Sequence, residues 1–319
     1  MRVLIALLAV AAALVGAMPA AAEYPDRPIE MIITFPPGGP TDVAARVVQP
    51  ALAKALNVPV VLVNKGGSGG AVAMDAVAKA KPDGYTIAAT VRSTISITPA
   101  VQANVPYRLK DFEMIGAYAA SPQALVVRKD SPWKTLEELV SGVKAAPGKF
   151  SYGSAGQGTN SHLSMELLKL ARGLDMAHVP FQGSGPLKNA ILGGHVPAGS
   201  VSLSTMIPLI KSGDVIGLVI SGDKRNRDVP DVPTMAEKGV PEASLSTTME
   251  LYAPAKTPKP VIDRLARALA TAMKSPETLA ALEKAGLEPY HQSPDVSRQQ
   301  VERETEVVLA AAKKLGLAN

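Results

Sequence analysis

The sequence predicts an α/β fold of two domains, each with a parallel or mixed sheet flanked by helices. Two observations lead to this prediction. Apolar segments of strand length alternate with helical patterns along most of the chain, which is typical of α/β proteins. In each half, a Gly-rich turn also joins a strand to a helix, at residues 36–39 and 154–158. A length of 319 residues suits two domains of ordinary size.

The first 22 residues have the pattern of a secretory signal peptide. Arg2 precedes a short apolar run at 3–15, and three alanines, ending at Ala22, form a small-residue cleavage site. The apolar run is too short to span a bilayer, and no later stretch is long and apolar enough. We therefore expect cleavage between Ala22 and Glu23 and a mature chain that is exported and is not embedded in a membrane.

Composition excludes several classes of site. The chain has no cysteine, which rules out disulfides, thiolate metal sites and a cysteine nucleophile. The net charge of +5 is scattered and aromatic residues are only 4%, so we expect no nucleic-acid partner. There is no Walker A motif, no G-x-G-x-x-G and no His and carboxylate set at metal-ligand spacing. We therefore expect neither a cofactor nor a metal.

The first domain begins with a βαβαβ pattern. Its predicted strands are 29–35, 58–63 and 85–90, and its predicted helices are 42–56 and 71–79. Such a unit implies a parallel sheet with right-handed crossovers. Ligands collect at the carboxyl ends of parallel strands, where the turns at 36–39 and 65–70 would lie side by side.

The second domain repeats the pattern and is expected to have its own sheet. After a lead at 111–115, the predicted strands are 124–128, 149–153, 176–180, 196–201 and 215–221, and the predicted helices are 131–143, 159–172 and 187–192. A strand at 247–252 re-enters the first domain, and three helices follow, at 260–274, 276–285 and 293–315. The predicted domains are 23–122 with 248–319, and 123–247. A ligand in the cleft between them could draw them together by hinge closure.

The turn at residues 35–42, Phe-Pro-Pro-Gly-Gly-Pro-Thr-Asp, has the geometry of an anion site. It joins a buried strand to the start of a helix, whose first N–H groups have no internal partner and lie at the positive end of the helix dipole. A carboxylate can bind at such a terminus without a basic side chain. Gly38 and Gly39 allow close approach of the backbone, and Thr41 or Asp42 is a natural N-cap.

Three other side chains are candidates whose roles the sequence leaves open. Arg92 follows the third strand, beside Ser93, and either pairs with a carboxylate or is solvated. Glu250 either pairs with Arg92, meets a polar ligand group or faces water. His162, in the first turn of a helix, either donates a hydrogen bond to a ligand or caps and packs.

The run from Gly66 to Gly70 also matches the G-x-S-x-G nucleophile elbow of serine hydrolases. That pattern makes a secreted α/β esterase with Ser68 as nucleophile an alternative function. Such an enzyme needs a later histidine, and none of the candidates has a local signature.

Motifs spread over the mature chain resemble those of one family. This is the extracytoplasmic solute receptor of tripartite tricarboxylate transporters, also called the Bug family of periplasmic binding proteins. The motifs occur in family order at 24–29 (YPDRPI), 35–42 (FPPGGPTD), 69–70 (GG), 81–86 (KPDGYT), 107–112 (YRLKDF), 156–162 (GQGTNSH), 178–184 (HVPFQGS), 231–234 (DVPT) and 253–258 (APAKTP).

The resemblance implies a Venus-flytrap fold with a carboxylate ligand in the interdomain cleft. It implies that the first Gly-rich loop, acting with ordered waters, holds one carboxylate through Pro37, Gly38, Gly39, Thr41 and Asp42, with Gly70 from the second loop. It assigns the far side of the cleft to Ser154, Gly158, Thr159, His162 and Gln182. It also implies a monomer in the periplasm that hands its ligand to an inner-membrane permease.

The chain departs from the family pattern at three places near the predicted cleft. The family's Val-Asp-x-x-x-Asp pattern has lost both acids at 196–201. Thr248, Met249 and Glu250 replace a Trp-Phe-Gly, and Arg92 stands where small polar residues are usual.

We therefore expect a receptor, not an enzyme, for a dicarboxylate or an aromatic carboxylate, with Arg92 on the distal acid group. A protein that presents its ligand to a sensor is a further alternative.

Overall fold

The computed structural model describes residues 24–314 and 316–317. The predicted signal peptide and its cleavage site lie outside these residues. Among the helices in the described ranges, none combines the length and the apolar character needed to cross a membrane.

Ten strands and eleven helices are assigned in the described part of the chain, besides three short 3₁₀ turns. The strands are β1 (Ile29–Ile33), β2 (Val60–Asn64), β3 (Thr86–Val91), β4 (Phe112–Arg128), β5 (Phe150–Ser154), β6 (Met176–Pro180), β7 (Ala198–Ser202), β8 (Val215–Ile220), β9 (Ser246–Pro254) and β10 (Glu288–Gln292). The helices are α1 (Pro40–Leu56), α2 (Ala71–Ala78), α3 (Ser93–Ser96), α4 (Thr98–Val101), α5 (Leu136–Ala145), α6 (Asn160–Arg172), α7 (Ser184–Leu192), α8 (Leu203–Lys211), α9 (Lys259–Ala272), α10 (Pro276–Lys284) and α11 (Pro294–Lys314).

The first sheet contains the predicted parallel unit. β1 pairs in parallel with β2 on one side and with β3 on the other, which confirms the βαβαβ prediction. β9 returns from the second half of the chain and inserts antiparallel between β3 and β4. The carboxyl ends of β1 and β3 therefore point toward the region where the chain crosses into the second sheet.

β4 connects the two sheets. It pairs with β9 from Phe112 to Pro122, and from Gln123 onward it pairs with β7 and β8. The expectation of a separate lead and a separate strand is wrong, because both belong to β4, which is continuous over 17 residues and takes part in both sheets. Its residues are almost all buried, so the polar–apolar alternation that marks a strand is missing. The domain boundaries at 122/123 and 247/248 stay a prediction.

The second sheet repeats the parallel pairing. β5 lies between β6 and β7 and is parallel to both, and β4 lies antiparallel between β7 and β8. The carboxyl end of β5 leads into the turn at 155–158, and that of β6 leads into the turn at 181–183. These two turns and the turn after β1 face the same region between the sheets.

α1 begins two residues before the predicted start, because Pro40 occupies its first position, where a missing N–H costs nothing. Its buried side chains, among them Val48, Leu52 and Leu56, pack in one core cluster with residues of β1 such as Ile29 and Ile33. This packing fixes the direction of the helix, so that its N-terminus lies at the carboxyl end of β1.

Four elements were missed from the sequence. They are the short helices α3 and α4, the helix α8, which contains Pro208, and β10, a short polar strand that contains Pro289. β10 lies antiparallel on β4. Its last residue, Gln292, is brought beside Arg92, as described below.

Candidate functional site

A narrow cavity lies between the two sheets, where the turns after β1, β5 and β6 meet. Its volume is about 30 Å³. The residues that line it come from both halves of the chain and from the strands that cross between them. They are Phe35, Pro36, Gly39, Pro40, Thr41, Val91, Ser93, Gln123, Ala155, Thr159, Asn160, Ser161, Gly183, Ser184, Gly185, Pro186, Ser202 and Thr247.

Three helices have their N-termini at this cavity. α1 contributes Thr41, α6 contributes Asn160 and Ser161, and α7 contributes Ser184 and Gly185. The first N–H groups of a helix lack intrahelical partners, and each helix dipole places about half a positive charge at that end. One positive terminus thus lies on one side of the cavity and two lie on the other, an arrangement that favours anions.

The polar side chains around the cavity are uncharged, and apolar side chains such as Phe35 and Val91 lie among them. Hydroxyl groups come from Thr41, Ser93, Thr159, Ser161, Ser184, Ser202 and Thr247, and side-chain amides come from Gln123 and Asn160. No Asp, Glu, Lys, Arg or His is among the lining residues. An anion bound here would be stabilised by fixed dipoles and hydrogen bonds and not by an ion pair.

Asp42 holds the turn between β1 and α1 in place through hydrogen bonds. Its carboxylate accepts hydrogen bonds from the backbone N–H of Gly38 at 3.0 Å, from Arg46 at 3.0 Å and from Asn64 at 2.9 Å. Burial alone would raise the pKa of Asp42, but these hydrogen bonds outweigh it and lower that pKa. Asn64 also donates to the carbonyl oxygen of Phe35. The carboxylate therefore holds the turn between β1 and α1 in place and is not among the lining groups.

Two stacked histidines, His162 and His178, support the loop at 155–158 on the opposite side of the cavity. Oγ of Ser154 and Nε2 of His178 are 2.7 Å apart, and the backbone N–H of Gly158 donates to Nδ1 of His162 at 3.3 Å. The two imidazole rings stack with centroids 4.1 Å apart, and the ring of Tyr152 stacks on His178. Burial lowers the pKa of both histidines, that of His178 to about 3. The histidines are thus neutral supports of the loop at 155–158.

Direct contacts join the two halves beside the cavity. Oγ1 of Thr98 donates to the carbonyl oxygen of Gly158 at 2.9 Å, and Nε2 of Gln102 donates to that of Gln157 at 2.6 Å. A Cβ added to Gly69 would come within 2.8 Å of the same Gln157 oxygen. The two halves of the chain are therefore in direct contact beside the cavity.

Ser68 takes part in these contacts. Its hydroxyl donates to Oε1 of Gln102 at 2.9 Å and has no hydrogen bond to a histidine. The Ser–His hydrogen bond found in the described ranges, that of Ser154 with His178, involves a fully buried serine. Neither serine has the exposed arrangement with a base that nucleophilic catalysis requires.

Arg92 and Glu250 pair with each other, which was one of the alternatives left open. Nε and one terminal nitrogen of Arg92 donate to Oε1 of Glu250 at 2.9 and 2.7 Å, and that terminal nitrogen also reaches Oε1 of Gln292 at 2.7 Å. The hydroxyl of Tyr252 donates to the other oxygen of Glu250. Burial lowers the pKa of Arg92, but the charge of Glu250 outweighs it and raises that pKa. Neither charged side chain lines the cavity, although the neighbouring Ser93 does.

The predicted site residues therefore divide into two groups. Those that line the cavity are Gly39, Thr41, Ser93 and Thr159. Those that do not are Pro37, Gly38, Asp42, Gly70, Arg92, Ser154, Gly158, His162, Gln182 and Glu250. Pro37, Gly38 and Gln182 are exposed, and Gly70 is buried against Thr34 and Thr94.

Sequence reasoning missed most of the hydroxyl and amide lining. Ser161 follows the Gly-rich turn at 154–158, and Ser184 ends the family motif at 178–184, so their position at a helix start was a usable signal. Gln123, Ser202 and Thr247 lie where β4, β7 and β9 meet, and no local pattern marks that crossing. In the part of the chain that the structure describes, no group of three His, Asp or Glu residues could hold a metal ion.

Comparison with known proteins gives a family match over most of the chain. The family model described as a tripartite tricarboxylate transporter family receptor matches residues 44–317. The protein BugT of Bordetella pertussis is 34% identical over 312 residues, which is 96% of this chain and 96% of BugT.

Two solved structures share both the fold and a substantial part of the sequence. The periplasmic binding protein BugD is 32% identical with a TM-score of 0.87, and the match covers 92% of this chain and 99% of BugD. MatC from Rhodopseudomonas palustris, solved with bound malate, is 30% identical with a TM-score of 0.86, and the match covers 90% and 99% of the two chains. These similarities confirm the prediction of a two-domain flytrap fold.

Proposed function

The chain belongs to the tripartite tricarboxylate transporter family of receptors, and from this premise we propose that it captures a small organic acid in the periplasm and delivers it to an inner-membrane permease. The signal peptide at 1–22 directs its export. The receptor acts as a monomer and carries out no catalytic step. The motifs quoted above and the match over residues 44–317 support this assignment.

The observation that carries the proposal is the convergence of three helix N-termini on one cavity whose polar side chains are uncharged. α1 offers a positive terminus from one domain, and α6 and α7 offer two from the other. Anion-receptive groups on both sides suit a ligand with an acid group at each end. A dicarboxylate therefore fits better than an aromatic monocarboxylate, and the malate bound to MatC is of this class.

The ligand contacts we propose are Gly39 and Thr41 on one rim, Thr159 on the other and Ser93 between them. These are the family-derived positions that line the cavity. Asp42 and His162 affect binding indirectly, because each holds in place a loop that lies beside the contact residues. Capture then requires the domains to part, admit the acid and close on it.

Uptake by living cells tests this function. A strain that lacks the gene should lose uptake of the acid that the purified protein binds, and a plasmid copy should restore it. Binding without any effect on uptake would support a protein that presents its ligand to a sensor. Hydrolysis of ester substrates that is lost in Ser68→Ala would instead support the esterase alternative.

A further inference from the structure

Two side-chain amides in the cavity each have an oxygen atom without a partner. Asn160 and Gln123 both line the cavity and are 4% and 2% exposed. Among the described residues, no hydrogen-bond donor reaches Oδ1 of Asn160 or Oε1 of Gln123. Leaving a buried acceptor unpaired costs free energy, so such atoms in a binding cavity call for a donor on the ligand.

The orientation of the Asn160 amide follows from its other contact. Its Nδ2 donates to the backbone carbonyl oxygen of Ser246, which can only accept. The nitrogen must therefore face Ser246, and Oδ1 is the unpaired atom. Nε2 of Gln123 contacts Oγ1 of Thr247, the next residue of β9. Consecutive residues of β9 therefore anchor the two amides beside the cavity.

An amide oxygen repels a carboxylate and accepts from an O–H or N–H group. The corner beside Asn160 and Gln123 therefore suits a different group of the ligand from the one that meets the helix N-termini. An ammonium group would need a negative partner, and no acidic side chain lines the cavity. The carboxylate of Asp42, which holds the first loop, is already engaged by Gly38, Arg46 and Asn64. A neutral hydroxyl group meets the requirement without an unpaired charge.

We propose that the ligand is a small hydroxy-carboxylate, whose hydroxyl group donates to Oδ1 of Asn160 and whose acid groups bind at the helix N-termini. This inference rests on the proposed function, since it concerns the same cavity. Asn160 and Gln123 are then specificity-determining residues. Their amide oxygens accept a hydrogen bond from a ligand with a hydroxyl group, and they stay buried and unpaired when an acid without that group binds.

A site built to bind a hydroxyl group discriminates against the analogue without it, because its polar atoms are then buried unpaired. Wild-type protein should therefore bind a 2-hydroxy acid about tenfold or more tightly than the matched acid without the hydroxyl group. Asn160→Leu keeps the approximate size of the side chain and removes the acceptor, so the preference should fall toward equal affinity.

Titration calorimetry on the purified mature protein tests this with three matched pairs: lactate and propionate, malate and succinate, 2-hydroxyglutarate and glutarate. The readout is the ratio of the two affinities within a pair, because general damage from a substitution weakens both members. Gln123→Leu serves as a second variant if Asn160→Leu fails to fold.

A preference of tenfold or more in the wild type that collapses in Asn160→Leu or Gln123→Leu would support the proposal. Acids that bind equally well with and without the hydroxyl group would overturn it and leave the receptor function standing. A preference that survives in both variants would also overturn it, because the hydroxyl group would then be recognised elsewhere. If no acid of the three pairs or of a wider panel bound, the proposed function would fail as well.

Discussion

Thr98 and Gly158 join the two domains, since Oγ1 of Thr98 donates a hydrogen bond to the carbonyl oxygen of Gly158 at 2.9 Å. The contact leaves no room for a side chain at position 158, where an added Cβ would come within 2.8 Å of Cα of Thr98. Gly158 also has a φ of +72°, which L residues rarely adopt. Position 158 therefore requires glycine for two reasons, its positive φ and its close contact with Thr98 of the other domain.

Gly158→Ala should weaken ligand binding about tenfold or more, because the added methyl group opposes the closed arrangement and lowers the fraction of protein able to close. Titration calorimetry measures the affinity, and circular dichroism checks that the variant folds. Gly173→Ala is the matched control, since Gly173 has a similar φ of +61° with no atom near its would-be Cβ. Equal affinities in the two variants would show that the Thr98–Gly158 contact is not part of binding.

A side chain at position 39 should leave the fold intact but weaken ligand binding. The φ of −84° and ψ of 169° of Gly39 suit any residue, and the nearest atom to an added Cβ is 3.8 Å away. A side chain here borders the cavity, so affinity should fall from Gly39→Ala to Gly39→Val while the melting temperature changes little. Wild-type affinity in Gly39→Val would remove the first loop from the binding site.

Glu250→Gln should destabilise the protein by about 3–5 kcal/mol, because it leaves the charge of Arg92 buried without its partner. The side chains of the pair are 0% and 7% exposed. Urea unfolding measures the loss. Asp263→Asn is the control, since it breaks the exposed Lys259–Asp263 pair, which is expected to contribute at most about 1 kcal/mol. A similar small loss in both variants would mean that the buried pair contributes little to stability.

The stacked histidines should make stability depend on pH. Burial first, and then repulsion by His162 when it is protonated and by Lys169, lower the pKa of His178 from 6.5 to about 3. Between these values the unfolded imidazole binds a proton that the folded one does not, so the free energy of unfolding falls as pH is lowered through this range. The contribution is up to about 1.4 kcal/mol for each pH unit.

Urea unfolding at a series of pH values between 3 and 7 checks this dependence. His178→Gln should reduce the slope, because it removes the buried imidazole. An unaltered slope in His178→Gln would assign the pH dependence to other groups.

Sequence reasoning recovered the parts of this protein that local patterns specify. The βαβαβ unit and the Gly-rich turns follow from apolar periodicity and glycine placement, and several of the family motifs lie in those turns. The sequence did not reveal that β4 runs unbroken through both sheets, because a strand buried on both faces loses its alternation. The sequence therefore did not show that Gln123, Ser202 and Thr247 line the cavity, because the pairing of β4 with β7 and β9 brings these residues together.

Charged residues were the least predictable part of the site. Arg92 was singled out as a partner for a carboxylate, and Asp42 as an N-cap and a family position, yet Arg92 pairs with Glu250 and Asp42 holds a loop. The pairing of residues 92 and 250 depends on β3 and β9 being neighbours, which is a property of the tertiary fold. Backbone N–H groups and hydroxyls form the cavity instead, and these are common to many turns.

The most direct test of the account compares organic acids with their uncharged amides by thermal shift of the purified mature protein. A ligand present at a hundredfold excess over its Kd stabilises the folded state by about 2.7 kcal/mol. The panel contains dicarboxylates such as succinate, their diamides of equal size, aromatic acids, amino acids and sugars. Stabilisation by dicarboxylates but not by their diamides is the result we predict. Stabilisation by a neutral or cationic compound, with none by any acid, would contradict the claim that the three helix N-termini form an anion site.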